Sequence, residues 1–219
     1  MGLVFNVHPG DVFWAASDVG WVVGHSYIVY GPLLHGCSTV LYEGKPIGTP
    51  DAGAFWRVCQ EYNVRVLSTA PTALRALKRE DPHGKFIQKY PMPNLQALFL
   101  AGERCDPDSL VWAQSVLGGR PVIDNWWMTE LGSVATGLAQ SMQTPTARPG
   151  SCGLQMPGFN FALLDEKVFL LFILFLMIII VIRAWRSRPL SIPRSHRQQQ
   201  RRQWQWQHQN RRSTSRPTT

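Results

Sequence analysis

Between Val64 and Arg79 the chain reads VRVLSTAPTALRALKR, and between Leu95 and Asp124 it reads LQALFLAGERCDPDSLVWAQSVLGGRPVID. The first segment opens on Val64–Thr69, a short apolar, β-branched run of the length and composition of a buried strand. Pro71 then stands where a proline suits the first turn of a helix, predicted over Thr72–Arg79. The second segment repeats the pattern. A strand is predicted over Leu95–Ala101, Asp106-Pro107 opens a helix over Asp108–Leu117, Gly118-Gly119 closes it, and Pro121–Asp124 is the next strand. Strand–helix–strand alternation with short connections predicts an α/β fold with a mostly parallel sheet. In such sheets ligands sit at the carboxyl ends of the strands, so the loops after Leu100 and Ile123 are the places to look.

Further out, Ser38–Tyr42 and Phe159–Leu164 also read as strands. Asp51 is the predicted N-cap of a helix over Ala52–Tyr62 that presents Phe55, Val58, Cys59 and Tyr62 on one face. At Lys167 the character changes. Val168–Ile182 is fifteen unbroken apolar residues ending at Arg183. A membrane-spanning helix needs roughly 20, although Arg183 can snorkel and the flanks can extend the run. The remainder is rich in Arg, Gln and Trp, cannot bury a core, and is expected to be disordered. The expected organisation is a partial domain over 1–166, an apolar segment over 167–183 that is a candidate short membrane helix, and a disordered basic tail over 184–219. So abrupt a change is also what reading through an intron, or a change of frame, produces.

The formal net charge of +8 belongs to that tail. All 14 acidic residues lie at or before Glu166, and residues 1–167 carry 12 basic ones, for a net −2. The other ten basic residues are all Arg, between Arg183 and Arg216. A nucleic-acid-binding reading of the whole protein is thereby excluded, since its globular part is nearly neutral. Cys37, Cys59, Cys105 and Cys152 are scattered singly, without metal-ligand spacing, and read as reduced thiols. The N-terminus has neither the basic start and apolar run of a signal peptide nor the Arg/Ser bias of a transit peptide.

Three features carry candidate chemistry. In Gly20–Tyr27 (GWVVGHSY) two glycines bracket an apolar pair before a His and a Ser: either a close-approach loop lining a pocket, or a strand-to-helix turn with a capping Ser. In Ala101–Arg104 a glycine at a strand's carboxyl end lets a ligand approach the backbone and a Glu-Arg pair supplies polar recognition; a turn with a surface ion pair fits as well. In Asp124–Gly132 (DNWWMTELG) adjacent tryptophans are best explained as walls of an apolar cleft, followed by the oxygen ligands Thr129 and Glu130. No GxSxG, GxxxxGK[ST] or GxGxxG motif occurs.

Taken together, residues 13–44 (FWAASDVGWVVGHSYIVYGPLLHGCSTVLYEG), 69–77 (TAPTALRAL), 98–110 (LFLAGERCDPDSL) and 124–132 (DNWWMTELG) resemble the middle of an AMP-forming acyl-CoA synthetase of the acetyl-CoA synthetase type. KPIGTPDAG (45–53) and GERCD (102–106) look closest to its propionate-preferring, mitochondrial branch. The resemblance implies the adenylate-forming N-terminal domain fold, with ATP, Mg²⁺ and coenzyme A as cosubstrates and a small carboxylic acid as substrate. It implies that Gly102, Glu103 and Arg104 lie along the adenosine and that Asp124, Asn125, Trp126, Trp127, Met128 and Thr129 form the adenylate-binding loop. Glu130 is then the Mg²⁺-associated glutamate, Trp127 closes the end of the acyl pocket with Val22 as side wall, and Val23 sits near the CoA channel. The implied compartment is the mitochondrial matrix.

Met128 stands where the family usually has Gln, and Leu131 where it has Thr. The family's phosphate loop belongs upstream of Met1, and its ribose-binding Asp, hinge and lysine-bearing C-terminal domain belong beyond Glu166. The resemblance therefore implies a fragment with negligible synthetase activity of its own. Two other readings compete: a non-catalytic scaffold attached to a membrane through Val168–Ile182, and a nucleic-acid-stacking segment around Trp204 and Trp206.

Overall fold

The computed structural model describes residues 1–142 and 146–186. A short helix, α1 (Gly2–Phe5), precedes strand β1 (Val12–Ala15). A π-helical turn, Gly24–Tyr30, runs straight into α2 (Gly31–Leu34), followed by a two-residue strand, β2 (Ser38–Thr39). Helices and strands then alternate: α3 (Ala54–Glu61), β3 (Val64–Thr69), α4 (Pro71–Glu80), β4 (Ala97–Leu100), α5 (Pro107–Val116) and β5 (Val122–Asp124). An antiparallel pair, β6 (Thr136–Gly137) with β7 (Leu154–Gln155), comes before α6 (Glu166–Arg186).

The sheet has the order β2-β1-β3-β4-β5, and every neighbouring pair is parallel, as the alternation predicted. Its two faces carry separate apolar layers. Trp14, Leu67, Leu98 and Leu100 point toward α3, α4 and α5, where Phe55, Leu74 and Leu110 meet them. Phe13, Val66, Phe99 and Ile123 point the other way, onto Phe5, Ile28, Val134 and Met156. Burial on both faces is why β3 and β4 read as nearly continuous apolar runs. Helix α5 starts where expected: the Asp106 carboxylate accepts from the Ser109 N–H at 2.8 Å. Its far end closes on Gly118 and Gly119, both at positive φ.

Four sequence expectations need correction. Strand β1, which the composition did not single out, lies inside the sheet between β2 and β3; four residues become a strand because both neighbours hydrogen-bond to them. The run Phe159–Leu164 forms no strand. It has no ladder partner, and Phe159 and Phe161 instead stack on each other at 5.7 Å. Of Ser38–Tyr42 only Ser38–Thr39 is extended in the sheet. On α3 the buried face is Phe55, Trp56, Val58 and Cys59, while Tyr62 is exposed. The helix starts at Ala54 with Gly53 as N-cap, and Asp51, two residues before that cap, accepts from the Gly53 N–H at 2.7 Å.

One compact unit runs from Met1 to Phe161 and a second begins at Ala162. In the second, Asp165 caps α6 by accepting from the Val168 N–H at 2.8 Å. The expected apolar helix forms, over Glu166–Arg186. Among the described residues no helix is long and apolar enough to cross a membrane. Fifteen apolar residues rise only about 22 Å, against a hydrocarbon core of about 30 Å. The Arg/Gln tail from residue 187 onward, with Trp204 and Trp206, lies outside the described residues.

Candidate functional site

At the carboxyl edge of the sheet the ladder continues for one residue past β1, β4 and β5 before the loops diverge. The Ala16 N–H donates to the Ser68 carbonyl at 2.7 Å, Ala101 N–H to Thr69 at 3.1 Å, and Asn125 N–H to Leu100 at 2.9 Å. The Thr69 hydroxyl adds a bond to the Ala16 carbonyl at 3.0 Å. The residues that leave the sheet here are thus held at fixed spacing, and two adjacent hollows open above them.

The larger hollow, about 450 Å³, is lined from β1 by Ser17, from β3 by Ser68, Thr69 and Ala70, and from β4 by Ala101 and Gly102. Asn125, Trp127, Met128, Thr129, Glu130 and Val134 line it from the loop after β5. Val22, Val23, Trp21 and Tyr27 close another side, and Phe5 lies at the base. The smaller hollow, about 360 Å³, is lined by Gly102, Glu103, Arg104, Asp124, Asn125, Trp126, Trp127, Gly150 and Cys152. Gly102, Asn125 and Trp127 belong to both. Every residue given a role by the resemblance lines one hollow or the other, although the segments that supply them lie up to 108 residues apart, from Val22 to Glu130, whereas Gly20, Gly24, His25 and Ser26 of the first candidate feature line neither.

Their environments differ. Gly102 has φ +106°, a conformation that side chains resist, and a Cβ there would meet nothing within 4 Å, so the cleft is open above it. Asp124 is buried, accepting from the Cys105 N–H at 3.0 Å. Burial pushes its carboxyl up, while the Cys105 and Asn125 N–H groups and the Arg104 charge pull it back down. Its carboxylate braces the β4–α5 loop from inside. Burial, with Asp124 and Asp106 adding repulsion, pushes the adjacent Cys105 thiol up to about 11. Asn125 is 4% exposed and its Oδ1 has no hydrogen-bond partner in the protein. A buried, unpaired acceptor costs about 1–3 kcal/mol, which a ligand donor in the cleft would recover.

Glu103 is already engaged by Arg75 of α4, at 2.8 Å, a half-exposed pair that also reaches Asp106 at 3.9 Å. Trp126 and Trp127, adjacent in sequence, part company. Trp126 is exposed and packs edge-on against Phe161 at 5.7 Å. Trp127 turns into the cleft, half-buried, against Tyr27 at 5.1 Å. Glu130 is the one carboxylate on the lining of the larger hollow, and no group of three or more His, Cys, Asp or Glu that could hold a metal occurs among the described residues. Thr69 and Ala70 were findable by the strand-end rule that located Gly102. Phe5, Gly150 and Cys152 gave no local signal, since only the fold brings them to the cleft.

A family model described as AMP-binding enzyme matches residues 1–168. The human acyl-CoA synthetase short-chain family member 3, mitochondrial, is 51% identical over 172 residues, covering 77% of this chain and 24% of that protein. The propionate–CoA ligase of Salmonella typhimurium is 45% identical over 166 residues, covering 76% of this chain and 26% of that protein. The crystal structure of Brucella canis acyl-CoA synthetase superposes with a TM-score of 0.66 at 32% identity, covering 76% of this chain and 29% of that one. The chain spans about a quarter of the length of the curated relatives it matches.

Proposed function

This chain belongs to the AMP-binding enzyme family, among the AMP-forming acyl-CoA synthetases, and we propose that its cleft is the adenylate and short-acyl half-site of an acetate- or propionate-CoA ligase. In the reaction proposed for the whole enzyme, the acid's carboxylate oxygen attacks the α-phosphorus of ATP and pyrophosphate leaves. The CoA thiol then attacks the acyl carbonyl of the adenylate and AMP leaves. One observation carries the reading: residues 101–104 and 124–130, far apart in sequence, wall two hollows that share Gly102, Asn125 and Trp127 at the carboxyl edge of a parallel sheet.

In this reading Gly102 lets the adenosine lie against the backbone, with Glu103 and Arg104 beside it. Asp124 to Thr129 form the adenylate loop. Asn125 Oδ1, lacking a protein donor, supports recognition of an amino group on the base. Trp127 closes the acyl end with Val22 as side wall, and an indole there limits chain length because an added methylene meets a rigid ring. Val23 borders the CoA approach. A lone Glu130 fits a Mg²⁺ ion that arrives on the nucleotide phosphates and keeps its waters, rather than a preformed cage. When bound, such an ion neutralises charge on the phosphate oxygens.

Met128, where the family usually has Gln, puts a thioether on the cleft lining and supports weaker nucleotide binding. Neither hollow has a lysine among its lining residues, and phosphoryl chemistry depends on positioned charge. We therefore propose that these 219 residues bind an acyl-adenylate but make it at a negligible rate. The compartment proposed from the human relative's name is the mitochondrion.

Calorimetric titration with adenosine 5′-propyl phosphate tests the half-site, beside ATP–pyrophosphate exchange with acetate and with propionate. Binding of the ester, with exchange at background, is the expected result. Failure of the folded protein to bind the ester refutes the half-site, and exchange above background refutes the predicted inactivity.

A second reading rests on α6, where Val168–Ile178 are solvent-exposed on all sides and Arg is the only charged residue type after Lys167. An apolar helix with a one-signed basic flank suits an anionic bilayer surface. Salt-resistant flotation with vesicles containing phosphatidylserine is expected; recovery at the bottom of the gradient removes this reading.

A further inference from the structure

The loop that carries Trp127 is closed at its base by the Trp126–Thr136 backbone pair and turned by the Gly132 N–H on the Met128 carbonyl, while between them Met128, Thr129, Glu130, Gly132 and Ser133 are exposed. It is held from across the cleft. The Tyr27 hydroxyl accepts from the Val134 N–H at 2.9 Å, the Tyr27 ring meets Trp127 edge-on at 5.1 Å, and the Ser26 hydroxyl donates to the Gly132 carbonyl at 3.3 Å. Two consecutive residues thus grip the loop at three points. Tyr27 is braced in turn by Phe5 at 5.3 Å, and Phe5 by Phe99 of the sheet at 4.7 Å.

Both grips come from the π-helical turn Gly24–Tyr30. It is flanked by glycines with no room for a side chain, since a Cβ on Gly24 would collide with the Val19 carbonyl and one on Gly31 with the Ser26 carbonyl. A π-turn shifts the facing of the residues within it, and such turns occur often at functional sites. Here the two that face the loop are Ser26 and Tyr27.

We infer that the Gly24–Tyr30 turn is a clasp on the Trp127–Val134 loop, and that Tyr27 is the positioning residue that sets where Trp127 stands and therefore how long an acyl chain the cleft admits. The claim about length rests on the reading that Trp127 closes the acyl pocket; the clasp itself does not. Burial raises the Tyr27 phenol above its ordinary range, with the Val134 N–H opposing, so the hydroxyl keeps its proton at neutral pH.

The full chain is labelled with 5-fluorotryptophan, and the Trp127 fluorine line is assigned by its loss in Trp127→Phe. The line is expected to shift and broaden in Tyr27→Phe, and to a lesser degree in Ser26→Ala. It should stay put in Leu74→Val, which weakens the opposite core layer without touching the clasp. The same proteins are titrated with adenosine 5′-propyl phosphate and adenosine 5′-hexyl phosphate. The wild-type chain should prefer the propyl ester by about 10–200-fold. Tyr27→Phe should lose most of that preference while Leu74→Val retains it.

An unmoved Trp127 line in Tyr27→Phe overturns the clasp whatever the titrations give. A line that moves with the preference intact overturns the assignment of length control to Tyr27. If Trp127→Gly itself still rejects the hexyl ester, or if no ester binds, the acyl-pocket reading fails. The fluorine line then still decides the clasp.

Discussion

Replacing Phe5 by alanine tests how the cleft is supported from the sheet. Phe5 lies in a four-residue helix beside the N-terminus, a place where chains ordinarily fray. Yet it is 3% exposed and touches three aromatic rings edge-on: Phe13 at 4.9 Å, Phe99 at 4.7 Å and Tyr27 at 5.3 Å. Burying a phenyl ring this completely makes Phe5→Ala cost about 3–5 kcal/mol. Edge-to-face pairs carry about 0.5–1.5 kcal/mol each beyond area burial, so three of them place the cost in the upper part of that range. For a unit of this size 1 kcal/mol moves Tm by about 2–4 °C, so a cost of about 4–5 kcal/mol gives an expected fall of roughly 8–20 °C. Thermal unfolding followed by circular dichroism reads the fall, with Phe5→Leu as an intermediate because it keeps apolar volume but no ring edge. The near-ultraviolet signal should also weaken as Tyr27 loses its brace. A fall below about 3 °C in well-folded Phe5→Ala would show that α1 is open in solution and that the cleft has no floor at Phe5.

Three further outcomes are expected. The Asp106 carboxyl is held below its ordinary range, chiefly by the Ser109 N–H bond. Its stabilisation is thus present above about pH 3.9 and is lost as pH falls through the lower folded value. Asp106→Ala should cost about 0.5–2 kcal/mol at neutral pH, whereas Asp106→Asn should keep the cap and flatten the acid limb; urea titrations from acid to neutral pH decide it. Asp124 has the opposite sign. Because burial raises its carboxyl, the folded state holds a proton that the unfolded state has released, and stability falls as pH rises from the ordinary carboxylate value to the raised one. Asp124→Asn, whose oxygen can still accept from Cys105, should remove that fall, and an unchanged slope of Tm between about pH 4 and 7 would contradict the assignment. Gly24→Ala drives a Cβ into the Val19 carbonyl and should cost about 1–3 kcal/mol or more. Hydrogen exchange at Val134 should quicken in that variant if the turn holds the loop, and be unchanged if it does not.

Strands β3, β4 and β5 and helices α4 and α5 were legible because their signals are local. Apolar β-branched runs, a proline in a first turn, Asp106 as a cap and Gly118-Gly119 as a stop act within a few residues of where they stand. Gly102 and Asn125 were legible one step further on, since a parallel sheet directs its ligands to the loops that follow its strands. Strand β1 was not legible. Val12–Ala15 gains its ladder from Ser38 on one side and from Val64–Ser68 on the other, and nothing within its four residues announces either partner. Phe159–Leu164 failed in reverse, with a strand's composition but no edge to pair with.

Composition and order along the chain settle the α/β class and the edge of the sheet where the cleft lies, because each follows from covalent spacing and nearest-neighbour preference, and the family enters separately, through the resemblance of whole stretches. Only the tertiary structure decides that Trp127 faces inward while Trp126 faces out, that Asn125 keeps an unpaired acceptor, and that Ser26 and Tyr27 reach across to hold a loop more than a hundred residues away. Those outcomes depend on which side chains share one packed volume, and that is set by the closure of the whole sheet rather than by any segment of it.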